Sequence, residues 1–284
     1  MNLKIANYYV RISGADFKEF DELFASYITN DKITDFDFEV EFSIKDEIPM
    51  PSEKLTAPLR KWQHCQTANG GVCTMRIDEQ GAFLRNDISP DGKKAKVSIA
   101  NRDKIYGADI WYISFFAIGE AFSYAMLKNK SGVLHSSSIV LNGSAIAFSA
   151  QSGTGKSTHT SIWQEVYPDT VIANDDTPVI KFQDGVPYLF GSPFAGTSGV
   201  NQNVSAPLKA VVFLHRGTEN KIEKLSGARA VSYFVNEIRK PLVPDYLDLC
   251  MDFTDKILKS TPVYLLTCTP DERAVETVMN AVQI

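Results

Sequence analysis

Two hydrophobic periods run through the chain, and the change from one to the other marks its elements. Residues 5–12 alternate, with Tyr8, Val10 and Ile12 on one side, and residues 36–42 alternate as Phe36, Phe38, Val40 and Phe42. A period of two predicts half-buried strands. Between these runs Phe17, Phe20, Leu23, Phe24 and Tyr27 recur at helical spacing, so a helix is predicted over 17–27. Residues 72–77 and 82–84 flank Asp78-Glu79-Gln80-Gly81, a hairpin signal, and 96–100 supply another strand. Pro49, Pro51 and Pro58 make 45–59 an irregular connection. Residues 1–105 therefore read as a small antiparallel sheet with a helix, an α+β region whose role the pattern does not disclose.

The second region, 106–284, opens on a stretch at 108–127 that is apolar over about twenty positions, the length that crosses a bilayer. Asp109 and Glu120 oppose that reading, since a charge near the hydrocarbon centre costs about 2.5 to 3.5 kcal/mol, and a buried helix is predicted instead. A strand over 133–141 containing His135, the turn Asn142-Gly143 and a strand over 145–148 form the firmest hairpin in the sequence. Strands follow at 170–173, 179–182, 186–190, 206–214 and 263–266, with helices at 156–166, 228–238, 246–258 and 270–282. The Gly, Ser and Pro content of 191–199 predicts an irregular loop, either an ordinary surface loop or one able to close over a ligand.

The candidate chemistry lies where strand 145–148 meets helix 156–166. Ala150-Gln151-Ser152-Gly153-Thr154-Gly155-Lys156-Ser157-Thr158 has the composition of a phosphate-binding loop. In such a loop Gly153 and Gly155 let backbone N–H groups turn onto an anion and the helix offers its positive end. Lys156 reaches the outer phosphates, and the Ser157 hydroxyl can ligate Mg²⁺. Ala150 stands at the first glycine of the pattern, which is tolerable only if its φ stays negative. Downstream, the apolar strand 170–173 ends in Asn174-Asp175-Asp176. A carboxylate there can hold Mg²⁺, while its neighbour takes a proton from an attacking hydroxyl. Arg216, ending the strand 206–214, is a conceivable phosphate ligand, although a solvated strand-end arginine is commoner.

Composition narrows the function classes. With 29 Lys and Arg against 34 Asp and Glu, the net charge of -5 offers no basic excess for nucleic acid or an anionic membrane, and neither is expected as a partner. The start Met-Asn-Leu-Lys lacks the pattern of a secretory signal and the four cysteines are scattered, so a cytoplasmic protein with reduced thiols is expected. His64, Cys65 and Cys73 lack a second ligand pair at finger spacing.

The succession of His135, the loop carrying Lys156, and Asp175-Asp176 resembles the catalytic domain of the HPr kinase/phosphorylase family, whose core is shared with phosphoenolpyruvate carboxykinases. The resemblance covers roughly residues 130–284 and implies an α/β (α+β) fold with an antiparallel-rich mixed sheet around the loop. It implies ATP and Mg²⁺ as cofactors: residues 152–158 and Lys156 on phosphates, Ser157 and one aspartate, taken as Asp176, on the metal, and the other, Asp175, activating a hydroxyl with His135. Thr158 departs from the acidic residue usual in HPr kinases, and their N-terminal domain and long C-terminal signature are missing. The expectation is accordingly ATP-dependent phosphoryl transfer to a serine-type hydroxyl, with HPr itself, phosphorolysis and a hexamer left aside and self-association left open. The alternatives are a kinase for a small metabolite or peptide, and a nucleotide-binding regulatory module that transfers nothing.

Overall fold

Ala6 and Asn7 both take positive φ, 51° and 59°, which makes a two-residue turn of the hand that matches strand twist. The run predicted as one strand at 5–12 is therefore divided into β1 (Asn2–Ile5) and β2 (Tyr8–Ser13), paired antiparallel. Tyr8, Val10 and Ile12 are buried on one face, as their alternation requires. The helix predicted over 17–27 shrinks to α1 (Glu19–Leu23) and a 3-10 turn (Ala25–Tyr27), because Phe24 leaves helical geometry at φ -101°, ψ 1°. Phe20, Phe24 and Tyr27 still point inward. The computed structural model describes residues 1–56 and 62–284; the end of the irregular connection, with Pro58 and Leu59, lies outside them.

Five more strands complete the first sheet: β3 (Phe38–Lys45), β4 (Trp62–Gln66), β5 (Val72–Asp78), β6 (Gly81–Ile88) and β7 (Lys94–Ala100). Their order is β1-β2-β3-β7-β6-β5-β4. The expectation of an antiparallel sheet is corrected here, because β2 with β3 and β3 with β7 run parallel. Alternation fixes which face a residue occupies and says nothing about strand direction. After the short ribbon β8 (Lys104–Ile105) and β9 (Ala108–Asp109), α2 (Ile110–Lys128) packs on β6 and β7, with Asn86 donating to Ala117 O at 3.4 Å. By length and composition α2 could cross a membrane, yet 67% of its most apolar window is buried within the fold.

The chain forms two compact units, Met1–Asn129 with Lys240–Leu249, and Lys130–Arg239 with Cys250–Ile284. The division falls after α2 rather than near residue 105, since the apolar surface of α2 meets the first sheet. Tyr246 belongs to the first unit: it is 1% exposed, with the Lys128 ammonium 5.1 Å from its ring centroid, and Asp245 accepts from Gln66 Nε2 at 2.7 Å.

His64 on β4 gives this unit a pH dependence. It is buried, neither ring nitrogen has a hydrogen-bond partner among the described residues, and burial holds its pKa down at about 4. An unfolded histidine titrates near 6.5, so between about pH 6.5 and 4 the unfolded chain binds the extra proton. Stability from this residue is complete above pH 6.5 and falls on acidification, by at most about 1.4 kcal/mol per pH unit. Urea midpoints measured from pH 7 to pH 4 are expected to fall less steeply in His64→Phe than in the unaltered protein; parallel curves would refute the assignment.

The second unit contains β10 (Ser131–Val133), β11 (Ser136–Leu141), β12 (Ser144–Ser149), α3 (Lys156–Val166), β13 (Val171–Asn174), β14 (Val179–Gln183), β15 (Val186–Phe190), β16 (Ser205–Arg216), β17 (Lys221–Lys224), α4 (Gly227–Glu237), the greater part of α5 (Pro244–Ser260), β18 (Val263–Cys268) and α6 (Glu272–Val282). The strands form a mixed sheet in the order β10-β14-β15-β16-β12-β11-β13, with β18 against β16 and β17 against β18. Only β12–β16 and β16–β18 are parallel among these pairs. The hairpin turn at Asn142-Gly143 forms with both φ positive, 49° and 71°.

The strand predicted over 133–141 is broken into β10 and β11, which pair with different neighbours, and His135 sits at the break. Packing behind β10 is tight: a Cβ added to Gly132 would lie 2.3 Å from Cε1 of the buried Phe253. Gly132→Ala is expected to lower stability by about 1–3 kcal/mol through overpacking, measured as a lower denaturant midpoint.

Candidate functional site

β12 delivers the loop 150–155 to the start of α3, and both ends are anchored in the core. Phe148, Trp163 and Ala150 belong to one buried cluster with residues of β11, β16 and α6. Gly153 and Gly155 have φ of 79° and 116° and open space where a Cβ would stand, so conformation, not crowding, calls for glycine there. Ala150 is absent from the residues with positive φ, which meets the condition set for an alanine at that position. Arg216, at the end of β16, donates through Nε to Thr154 O at 2.9 Å and through its second nitrogen to Gly153 O. The arginine thus fixes two carbonyls of the loop. Ser152, Gly153, Ser157 and Thr158 are exposed, and Thr154 and Gly155 are half-buried.

Lys156 folds back over this loop. It is 8% exposed and donates to Ala150 O at 2.9 Å and to His135 Nε2 at 3.0 Å. Burial pushes its pKa down, while Asp176 and Glu237 pull in the opposite direction. The backbone of His135 is held by two bonds, its N–H to Glu237 O at 2.9 Å and its carbonyl from Ser149 Oγ at 2.8 Å. Its Nδ1 lies 2.7 Å from Glu237 Oε2, and its Nε2 lies 3.4 Å from Asp176 Oδ1. Arg239 sits 3.2 Å from Asp176 Oδ2. Lys156, His135 and Asp176 are therefore together, and Asp176 rather than Asp175 is the aspartate beside the imidazole.

Asn174 sets the aspartate turn. Its Oδ1 accepts from Asp176 N at 2.8 Å and Thr177 N at 2.6 Å, and its Nδ2 donates to Ser192 O at 2.8 Å. Ser192 Oγ donates in turn to Thr177 O at 2.8 Å. The first half of the predicted loop 191–199 is buried by these bonds, and a Cβ on Gly196 would come 3.0 Å from Asp176 Cβ.

Asp175 is also buried, and its Oδ1 has no hydrogen-bond partner among the described residues. An unpaired buried carboxylate oxygen beside Lys156 suits a cation better than do the oxygens of Asp176, both of which face other side chains. Among the described residues no three His, Cys, Asp or Glu side chains gather into a metal-holding group, at His64, Cys65 and Cys73 or elsewhere. A single carboxylate with the Ser157 hydroxyl would be a partial set, which fits Mg²⁺ completed by phosphate oxygens and water.

The loop floors a cleft of about 550 Å³ lined by 149–154, 213–216, Tyr233, Asn236 and Glu237. A second, of about 390 Å³, is lined by Thr154, Gly155, Thr158, His159, 214–217 and 268–270. They share Thr154, Leu214, His215 and Arg216. Sequence reasoning missed Glu237 and Arg239, which stand 102 and 63 residues from the side chains they meet. Nothing in the local pattern around 237–239 marks them.

No family model matches the chain, and no curated protein matches it. A structure of the Hpr(Ser) kinase/phosphatase from Coxiella burnetii is similar to it at 9% identity and a TM-score of 0.32, over 52% of this chain and 95% of that one.

Proposed function

We propose that the second unit is an ATP-dependent, Mg²⁺-assisted phosphotransferase acting on a hydroxyl acceptor. The observation that carries this reading is the convergence of Lys156, His135 and Asp176 at the loop 150–155: His135 Nε2 lies 3.0 Å from Lys156 Nζ and 3.4 Å from Asp176 Oδ1. In this reading the loop's backbone and the start of α3 hold the phosphates, with Arg216 keeping the carbonyls of Gly153 and Thr154 bound away from them. Lys156 lies at the far end. Burial pushes its pKa down, and a polyphosphate would raise it again by adding negative charge beside it. The ammonium then offsets charge developing on the transferred group.

The acceptor's hydroxyl proton passes to the Asp176–His135 pair, and Arg239 holds the carboxylate in place. Asp175 and Ser157 would hold Mg²⁺, which when bound neutralises charge on the outer phosphates. The two aspartates are thus assigned in the opposite sense from the sequence expectation. Catalysis here is positioning and electrostatics, as phosphoryl transfer requires.

Purified protein with ATP, Mg²⁺ and heat-treated cell extract tests the reading by ³¹P NMR. A new phosphomonoester resonance growing as the γ-phosphate declines is the expected result. If ATP binds and its γ-phosphate stays where it was, transfer is refuted and a nucleotide-holding module is left.

A further inference from the structure

Glu237 has no part in the motifs, yet it makes the shortest contact to His135. We infer that Glu237 is a positioning residue that fixes which ring nitrogen of His135 carries the proton, leaving Nε2 bare toward Lys156 and Asp176. The inference rests on the phosphotransferase reading for its catalytic meaning and on hydrogen-bond geometry alone for its structural content.

Donor and acceptor capacity fixes the tautomer. An ionised carboxylate can only accept, so at 2.7 Å from Glu237 Oε2 the Nδ1 atom must carry hydrogen. An ammonium can only donate, so at 3.0 Å from Lys156 Nζ the Nε2 atom must offer its lone pair. Two neighbours of opposite character therefore specify the same tautomer independently. Asp176 Oδ1 competes for a proton on Nε2, but at 3.4 Å it lies beyond the usual N–H···O range of about 2.7–3.2 Å.

The backbone explains how a helix end delivers this carboxylate. Glu237 is the last residue of α4, and the chain beyond it turns extended at Ile238, with φ -70° and ψ 128°. Residues 237–239 then run antiparallel to 133–135: His135 N donates to Glu237 O, Leu134 bridges Ile238, and Arg239 N donates to Val133 O. Alternation along this short extended run sends Glu237 and Arg239 to the same side. Glu237 meets His135 Nδ1 and Arg239 meets Asp176 Oδ2, so one segment orients both proton acceptors.

Long-range ¹H–¹⁵N correlation NMR reads imidazole tautomers directly, and the chain has four histidines, so His135→Asn suffices to identify the signal. The unaltered protein is expected to show the Nδ1–H pattern at His135. Glu237→Gln, whose amide oxygen still accepts from Nδ1–H, is expected to keep that pattern. Glu237→Ala is expected to lose it, with kcat for transfer falling on the order of 10²-fold while KM for ATP moves little, and with Glu237→Gln between the two. An Nε2–H or doubly protonated ring in the unaltered protein overturns the inference, as does an unchanged tautomer in Glu237→Ala. A tautomer that moves without any loss of rate overturns the catalytic role. If no form transfers phosphate, the function proposed above fails, while the tautomer comparison still decides the role of Glu237.

Discussion

Lys156→Ala is expected to reduce phosphoryl transfer by about 10²–10³-fold or more in kcat, the loss that accompanies removal of one preorganised charge-stabilising donor, or about 2.7–4 kcal/mol of barrier. The side chain is 8% exposed and bonded to Ala150 O and His135 Nε2. Its stem is fixed before a ligand arrives, so little reorganisation accompanies the reaction. The substitution should leave the fold intact, because removing a buried ammonium also removes its desolvation cost. Lys156→Met, which keeps the stem and deletes the charge, should match the alanine variant in rate. The measurement is initial rate at saturating ATP and Mg²⁺ with a thermal melt beside it. A folded variant that retains more than about a tenth of the rate would remove Lys156 from the chemistry.

The largest stability effect is expected at Trp163. Its ring is fully buried, 5.7 Å from the ring of Phe148 and 5.9 Å from that of Tyr167, and it fastens α3 to the sheet behind the loop. Truncation to alanine leaves a cavity where the surroundings cannot fully collapse, a loss of about 3–5 kcal/mol. A second, smaller component is polar: Trp163 Nε1 donates to His159 Nε2 at 3.1 Å, and His159 is itself buried. Trp163→Phe keeps most of the ring and removes that donor, so it isolates the cost of an unmet buried acceptor, about 1–3 kcal/mol. Two units need not unfold in one step, so hydrogen exchange across 144–166 is the appropriate measurement. Equal protection there in the alanine variant and the unaltered protein would show that the ring does not anchor α3.

The sequence made some of this legible for identifiable reasons. Asn142-Gly143 announced its hairpin because both residues tolerate positive φ. Ala6-Asn7 makes the same kind of turn with an alanine at 51°, a residue that carries no turn signal, and so β1 and β2 read as one strand. β4 carries no strand signal, because Trp62-Gln63-His64-Cys65-Gln66 lacks clear alternation. The loop and the aspartate turn were visible because each is contiguous. The break at His135 was not, because it is caused by bonds to Glu237 O and from Ser149, residues that no local window contains. The same separation hid Glu237 and Arg239, and with them the reason Asp176 rather than Asp175 faces the imidazole.

The excursion of Lys240–Leu249 into the first unit has a practical corollary for anyone dissecting the gene. A fragment beginning at residue 130 would carry this decapeptide without Lys128 or Gln66, baring the Tyr246 ring to solvent and inviting aggregation. A fragment ending at residue 129 would leave that ring's niche unfilled. Neither half is a clean cassette, and missense changes between 240 and 249 should register as defects of the amino-terminal sheet, more than a hundred codons upstream.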